Sequence, residues 1–298
     1  MDLAFIIDIG LATVGFILGR KKNSSFVAYA VNLLNYFLYY TILPMVIFMA
    51  VLNAPSIGFY MLSVLLSILH ICLLMVSSFL LSRIVSNDVK DRMAITTASS
   101  LPNAGYLAIP LAMIILGTER YVTPYAVAFN IVLSLTSLLI AVKVSRESPL
   151  NAVKSLPPIL AVMVSIILKQ HTIGLGSALD VLSTFTLHAI RSSFLVIGYG
   201  LTNLTYSSLK SLVKPLLVVA LLKIPYSLLV AKAILSFIVL PREFIRGFML
   251  QSIMPPAINN IIIAKMFKLN EDLVAASIAI ITPVSVLLSL ALFSLPLW

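Results

Sequence analysis

Ten apolar stretches follow one another along this chain, at residues 3–19, 28–52, 57–83, 93–117, 122–142, 150–169, 178–204, 211–239, 244–267 and 273–296. A helix crosses a bilayer core with about 20 apolar residues. Each stretch therefore reads as a membrane span, and no length is left for a soluble domain. The expected fold is an all-α, polytopic membrane protein. Composition agrees: 10% of the residues are charged, against about 25% in a soluble domain. The formal charge of +10 would raise the question of nucleic acid in a soluble protein. Here the basic residues sit at span ends, with no patch interleaved with aromatics. The bilayer is the expected partner, and nucleic acid is not.

The loops alternate in charge. One set holds Arg20, Lys21, Lys22, Arg83, Lys90, Arg92, Lys143, Arg146, Lys154, Lys210, Lys214, Lys265 and Lys268; the other holds Arg120, Lys169, Arg242 and Arg246. Cytoplasmic loops carry the excess of Lys and Arg, so thirteen against four predicts a multi-pass protein of the cell membrane with both termini on the extracytoplasmic side. Residues 3–19 contain Asp8, follow no basic segment and end at Arg20. They read as a retained first span and not as a cleaved signal. Cys72 is alone, which leaves no internal disulfide.

The loop around Arg146, Glu147, Ser148 and Pro149 divides the chain into 1–148 and 149–298, with five spans in each half. An odd number of spans turns the second half over in the membrane, which predicts a 5+5 inverted repeat. The fourth span runs Ser99-Ser100-Leu101-Pro102-Asn103, and the ninth Gln251-Ser252-Ile253-Met254-Pro255-Pro256-Ala257-Ile258-Asn259-Asn260. Each places proline and asparagine near mid-span. Proline removes a donor and clashes with the preceding turn, so both helices should break. Broken backbone is tolerated at bilayer depth only where protein or a water-filled cavity satisfies it. The half-helix N-termini suit an anion, and the free carbonyls suit a cation. Breaks at matching places in two halves point to a transporter site. Its expected residues are Pro102, Asn103, Pro255, Pro256, Asn259 and Asn260, with Ser99, Ser100 and Gln251 as further polar groups. Pro44, Pro225 and Pro283, taken singly, read as ordinary kinks.

The run from Leu101 to Pro110 resembles the signature of the auxin efflux carrier family, which includes the plant PIN proteins and many prokaryotic permeases. Ile42-Leu43-Pro44, the run from Leu195 to Leu201, and Met254-Pro255-Pro256-Ala257-Ile258-Asn259-Asn260 followed by Asp272-Leu273-Val274-Ala275-Ala276 are similar to further stretches of that family. The resemblance runs through the chain in order. It implies a fold related to the bile-acid sodium symporters, with spans 4 and 9 crossing inside a transport domain of spans 3–5 and 8–10. Spans 1, 2, 6 and 7 would form a scaffold and a homodimer interface. It also implies a cargo of organic anions, such as auxin or small carboxylates, moved by an elevator-like shift.

Four other features bear on function. Asp8 is a carboxylate inside a span, where a charge costs about 2.5–3.5 kcal/mol on insertion scales. It either pairs with Arg191 or reaches water near the outer surface. Lys223 lies near the middle of the eighth span, where it could attract an anion, whereas Lys232 can snorkel outward. His70 and His188 read first as packed or hydrogen-bonded residues. Gly15 and Gly19 form a GxxxG, which serves either a dimer or two helices of one subunit.

No metal-binding spacing, catalytic constellation or cofactor motif appears, so neither an enzyme nor a cofactor is expected. The reading is a secondary transporter of a small organic anion. The rivals are a symporter coupled to Na+ or H+, with Thr97, Ser99 and Gln251 as sodium ligands, and a non-transporting membrane sensor.

Overall fold

The computed structural model describes residues 3–20, 25–54, 56–140, 157–170, 176–203 and 209–293. The predicted junction at Arg146–Pro149, with Lys21, Lys22, Lys143 and Lys154, lies outside them. The described residues are largely helical in the apolar stretches. In order they form α1 Leu3–Arg20, α2 Ser25–Phe37, α3 Leu43–Leu52, α4 Ile57–Leu81, α5 Val89–Ser100, α6 Ala108–Ile115, α7 Thr123–Ile140 and α8 Pro157–Gln170. Then come α9 Gly176–Arg191, α10 Ser193–Gly200, α11 Leu209–Leu221, α12 Ser227–Leu235, α13 Arg242–Ser252, α14 Asn259–Met266 and α15 Glu271–Phe293.

Five helices among the described residues are long and apolar enough to cross a membrane: Ser25–Leu52, Ile57–Ile84, Leu179–Gly200, Leu212–Leu235 and Glu271–Phe293. The fourth and ninth stretches are absent from that set for a physical reason. Each is cut in two, α5 from α6 and α13 from α14, at the prolines that the sequence marks. The single prolines act differently. Pro44 follows a π-helical turn at Leu38–Ile42, and Pro225 lies within one at Leu222–Tyr226. A widened turn absorbs a proline without ending the helix. Pro283 sits inside an uninterrupted α15.

Local chemistry fixes the helix starts. The Ser56 hydroxyl accepts from the Phe59 amide at 3.3 Å, and Asp88 accepts from the Lys90 amide at 3.0 Å, so both cap amides left free in a first turn. Buried hydroxyls bond back to their own helices, as Thr96 does to the Arg92 carbonyl at 2.8 Å and Ser277 to the Leu273 carbonyl at 2.7 Å. That satisfies them without water.

Between helices in lipid, packing and hydrogen bonds replace the hydrophobic effect. The most extensive packing joins α1 to α10, with Gly15, Gly19 and Gly198 in the seam. A Cβ on Gly15 would meet the Leu195 carbonyl, and one on Gly198 the Ala12 carbonyl. The GxxxG therefore brings two helices of one subunit together. Helix α3 packs on α8 and α9, while α4 packs on α7 and α5. Helices α11 and α15 also pack on α5, and α12 on α13 and α4. Lys169, at the end of α8, donates to the carbonyls of Val51 and Leu52 at 3.2 and 3.0 Å, and also to that of Ala54. A cation there closes the C-terminus of α3.

Candidate functional site

The two breaks meet. Pro102 and Pro256 form an isolated antiparallel bridge. The Asn103 amide donates to the Pro255 carbonyl at 2.7 Å, and the Ala257 amide to the Leu101 carbonyl at 3.0 Å. Proline has no amide to donate, so this short pairing uses the amides of the residues just after each proline. Groups freed by one break are satisfied by the other, as backbone at membrane depth requires.

Side chains complete the exchange. The Asn260 amide donates to the carbonyls of Thr97 and Leu101, each at 3.1 Å. It thus closes the C-terminus of α5 from the opposite half of the chain. The Gln251 amide donates to the carbonyls of Ala104 and Val122, each at 3.0 Å. The Asn103 carboxamide oxygen accepts from the Leu107 amide at 3.3 Å and caps the entry to α6. Ser227 of α12 donates to the Ser252 carbonyl at 2.6 Å, at the end of α13.

A small cavity lies against this crossing. Pro102, Asn103, Ala104, Gly105 and Tyr106 line it from the first break, and Ala257, Ile258 and Asn259 from the second. Tyr39, Leu43 and Phe129 form the rest of its wall. About 20 Å³ is open to the centre of a water molecule. One water needs about 10–15 Å³ by that measure. The space admits a water or two, and an organic anion enters only if the walls part.

The expected residues thus separate by position. Asn103, Pro102 and Asn259 reach the cavity. Asn260, Gln251, Pro255, Pro256, Ser99 and Ser100 are buried in the crossing behind it. Ser100 bonds to the Thr96 carbonyl at 2.6 Å. The Ser99 hydroxyl, the Gln251 carboxamide oxygen and the Asn260 carboxamide oxygen are buried with no hydrogen-bond partner among the described residues.

Sequence reasoning named neither Tyr39, which lines the cavity, nor Asn130, which holds Tyr39. The Tyr39 hydroxyl donates to the Asn130 carboxamide oxygen at 3.0 Å, across 91 positions of chain. Asn130 in turn donates to the Ala126 carbonyl at 2.7 Å. The available signal was an asparagine in the interior of an apolar stretch.

The intramembrane charges lie away from the cavity wall. Asp8 and Arg191 pair at 3.7 Å, which decides between the two readings of Asp8. Both Asp8 oxygens are buried without a hydrogen bond. Lys223 is 1% exposed within the π-helical turn of the eighth stretch. His70 is buried between the Tyr125 hydroxyl at 2.6 Å and the Ser227 carbonyl at 2.9 Å. A carbonyl only accepts, so Nε2 donates to it and a neutral ring takes the Tyr125 proton at Nδ1. His188 is exposed and contacts the Thr184 carbonyl at 2.7 Å. Among the described residues no group of His, Cys, Asp and Glu is placed to hold a metal.

A family model described as membrane transport protein matches residues 1–155. That match contains the first break and ends before the second. No curated protein matches the chain.

Proposed function

From a chain that belongs to the membrane transport protein family, that of the auxin efflux carriers, we propose a secondary transporter of small organic anions whose site is the cavity at the crossing. The family is one of transporters and not of enzymes. The observation that carries the reading is the Pro102–Pro256 pairing, with Asn103 and Asn259 on the cavity beside it. Two asparagine amides there bind a carboxylate without the desolvation cost of a full positive charge. Tyr39, Tyr106 and Phe129 offer it an apolar, aromatic wall.

The chain forms ten spans as a 5+5 inverted repeat in this reading, with both termini extracytoplasmic and spans 4 and 9 as the crossing helices. The scaffold is α1–α3 with α8–α10, and the transport domain is α4–α7 with α11–α15. The packing of α1 on α10 and of α3 on α8 supports the first group; that of α4 on α5 and α7, and of α11 and α15 on α5, supports the second. Transport proceeds by an elevator-type shift of one group against the other. The scaffold also forms the homodimer interface.

A second reading, coupling to Na+, is favoured by the three buried oxygens of Ser99, Gln251 and Asn260 that lack partners. Sodium is held by several oxygens and needs no carboxylate when carbonyls and amides converge. Uptake of radiolabelled carboxylates into proteoliposomes, with and without a sodium gradient, tests both. A carboxylate that raises the melting temperature of the purified protein identifies the cargo. Asn103→Ala and Asn259→Ala should abolish its binding while leaving membrane insertion intact. Normal uptake in both variants would remove the crossing from the mechanism.

A further inference from the structure

Lys223 stands in the middle of Leu209–Leu235, at 1% exposure, in a turn that packs on α5, the first half of the crossing. A buried charge needs a partner, and no described carboxylate lies within 4 Å of this one. The sequence explains why. Its acidic residues in the described part of the proposed transport domain are Asp88, Asp91, Glu119, Glu243, Glu271 and Asp272, and all of them fall at helix starts or in loops. Asp8 is taken by Arg191. The ionisable neighbour facing Lys223 is His70 of α4, whose two ring nitrogens are already engaged by Tyr125 and Ser227. An imidazole, neutral or cationic, offers no negative countercharge.

We propose that the transported anion is the countercharge of Lys223. This rests on the transport reading and adds to it the charge state of the moving domain. When the domain is loaded with a monoanion, Lys223 and its cargo cancel, and the pair crosses the membrane field without electrical work. Empty, the domain returns with the charge of Lys223 uncancelled. The voltage-sensitive step is then the return and not the loaded crossing. Lys223 does not line the cavity. It acts through the field and not by contact, so a longer or shorter cation in its place serves as well.

Exchange of radiolabelled indole-3-acetate for unlabelled indole-3-acetate across proteoliposomes uses loaded crossings alone. With voltage clamped by potassium and valinomycin, wild-type exchange should be unchanged between 0 and −100 mV. In Lys223→Met the charge of the anion crosses uncancelled, and exchange should vary about fivefold or more over that range; a full charge moved through it is worth about 2.3 kcal/mol. Lys223→Arg should restore voltage independence, which a merely structural lysine would not predict. Lys223→Met should also raise the melting temperature of the ligand-free protein, because it removes an uncompensated buried charge. Wild-type exchange that varies with voltage, or a lowered melting temperature in Lys223→Met, would overturn this inference and leave the transport reading standing. No exchange by the wild type would overturn both.

Discussion

At the scale of single residues, Asn259 and Asn260 are neighbours with different work. Asn259 faces the cavity, whereas Asn260 is buried and holds the carbonyls of Thr97 and Leu101. Both carbonyls keep a second donor, from the amides of Leu101 and Ala257 respectively. Asn260→Ala should therefore cost about 1–2 kcal/mol, the low end for a lost buried partner, seen as a lower melting temperature. Asn259→Ala should leave the melting temperature unchanged and lose ligand-induced stabilisation. The ion pair responds differently. Arg191→Met strands Asp8 in a buried site, with an expected loss of about 3–5 kcal/mol. Adding Asp8→Asn should recover most of it in the same melting experiment. The asparagines were legible in the sequence because they stand beside prolines in mid-span. Their division of labour was not, since side-chain direction at a break follows from how the two breaks pair. Asp8 and Arg191 were legible as charges that need partners. Tyr39 and Asn130 were not, because one polar residue in an apolar run does not name a partner 91 positions away.

Among elements, the outcome of a proline depends on its company. Pro102 and Pro255-Pro256 end helices, and the opposing break satisfies the groups they free. Pro44 and Pro225 are accommodated by π-helical turns, and the helix goes on. The sequence distinguishes these cases through the asparagines near the breaking prolines and their absence beside the others. It does not announce the π turns, whose wider ring depends on neighbouring packing. The α1–α10 seam makes a sharper claim. Gly198→Leu forces a side chain into the Ala12 backbone, where no rotamer can move it away. The helices must separate, and overpacking of this kind costs about 1–3 kcal/mol or more. Gly10 has open space around its Cα, so Gly10→Leu should be neutral in the same assay. Equal loss in both would mean that the glycines matter for insertion and not for the seam.

For the molecule as a whole, the hydrogen bonds between the proposed scaffold and transport domain decide how readily one slides on the other. Tyr39 reaches Asn130 at 3.0 Å, Tyr106 reaches the Asn35 carbonyl at 3.0 Å, and Ser193 reaches the Tyr106 carbonyl at 2.6 Å. Two of the three pass through Tyr106, which lies in the first break and also lines the cavity. An elevator shift must break them, and the groups they free must find other partners. Each such bond contributes about 0.5–1.5 kcal/mol net. Tyr106→Phe removes one of them and keeps the ring, so it should raise the population of the shifted state about two- to tenfold. Cys72 gives a way to measure this. It is exposed on α4, in the domain expected to move, and it is the chain's one cysteine. A spin label there and a second on Ile17→Cys, exposed on α1, report the distance between the two groups. Two distance populations, redistributed by Tyr106→Phe, are the expected result. One population that ignores both the variant and added ligand would mean that the two groups move as a single body, and the cavity would then need another way to open.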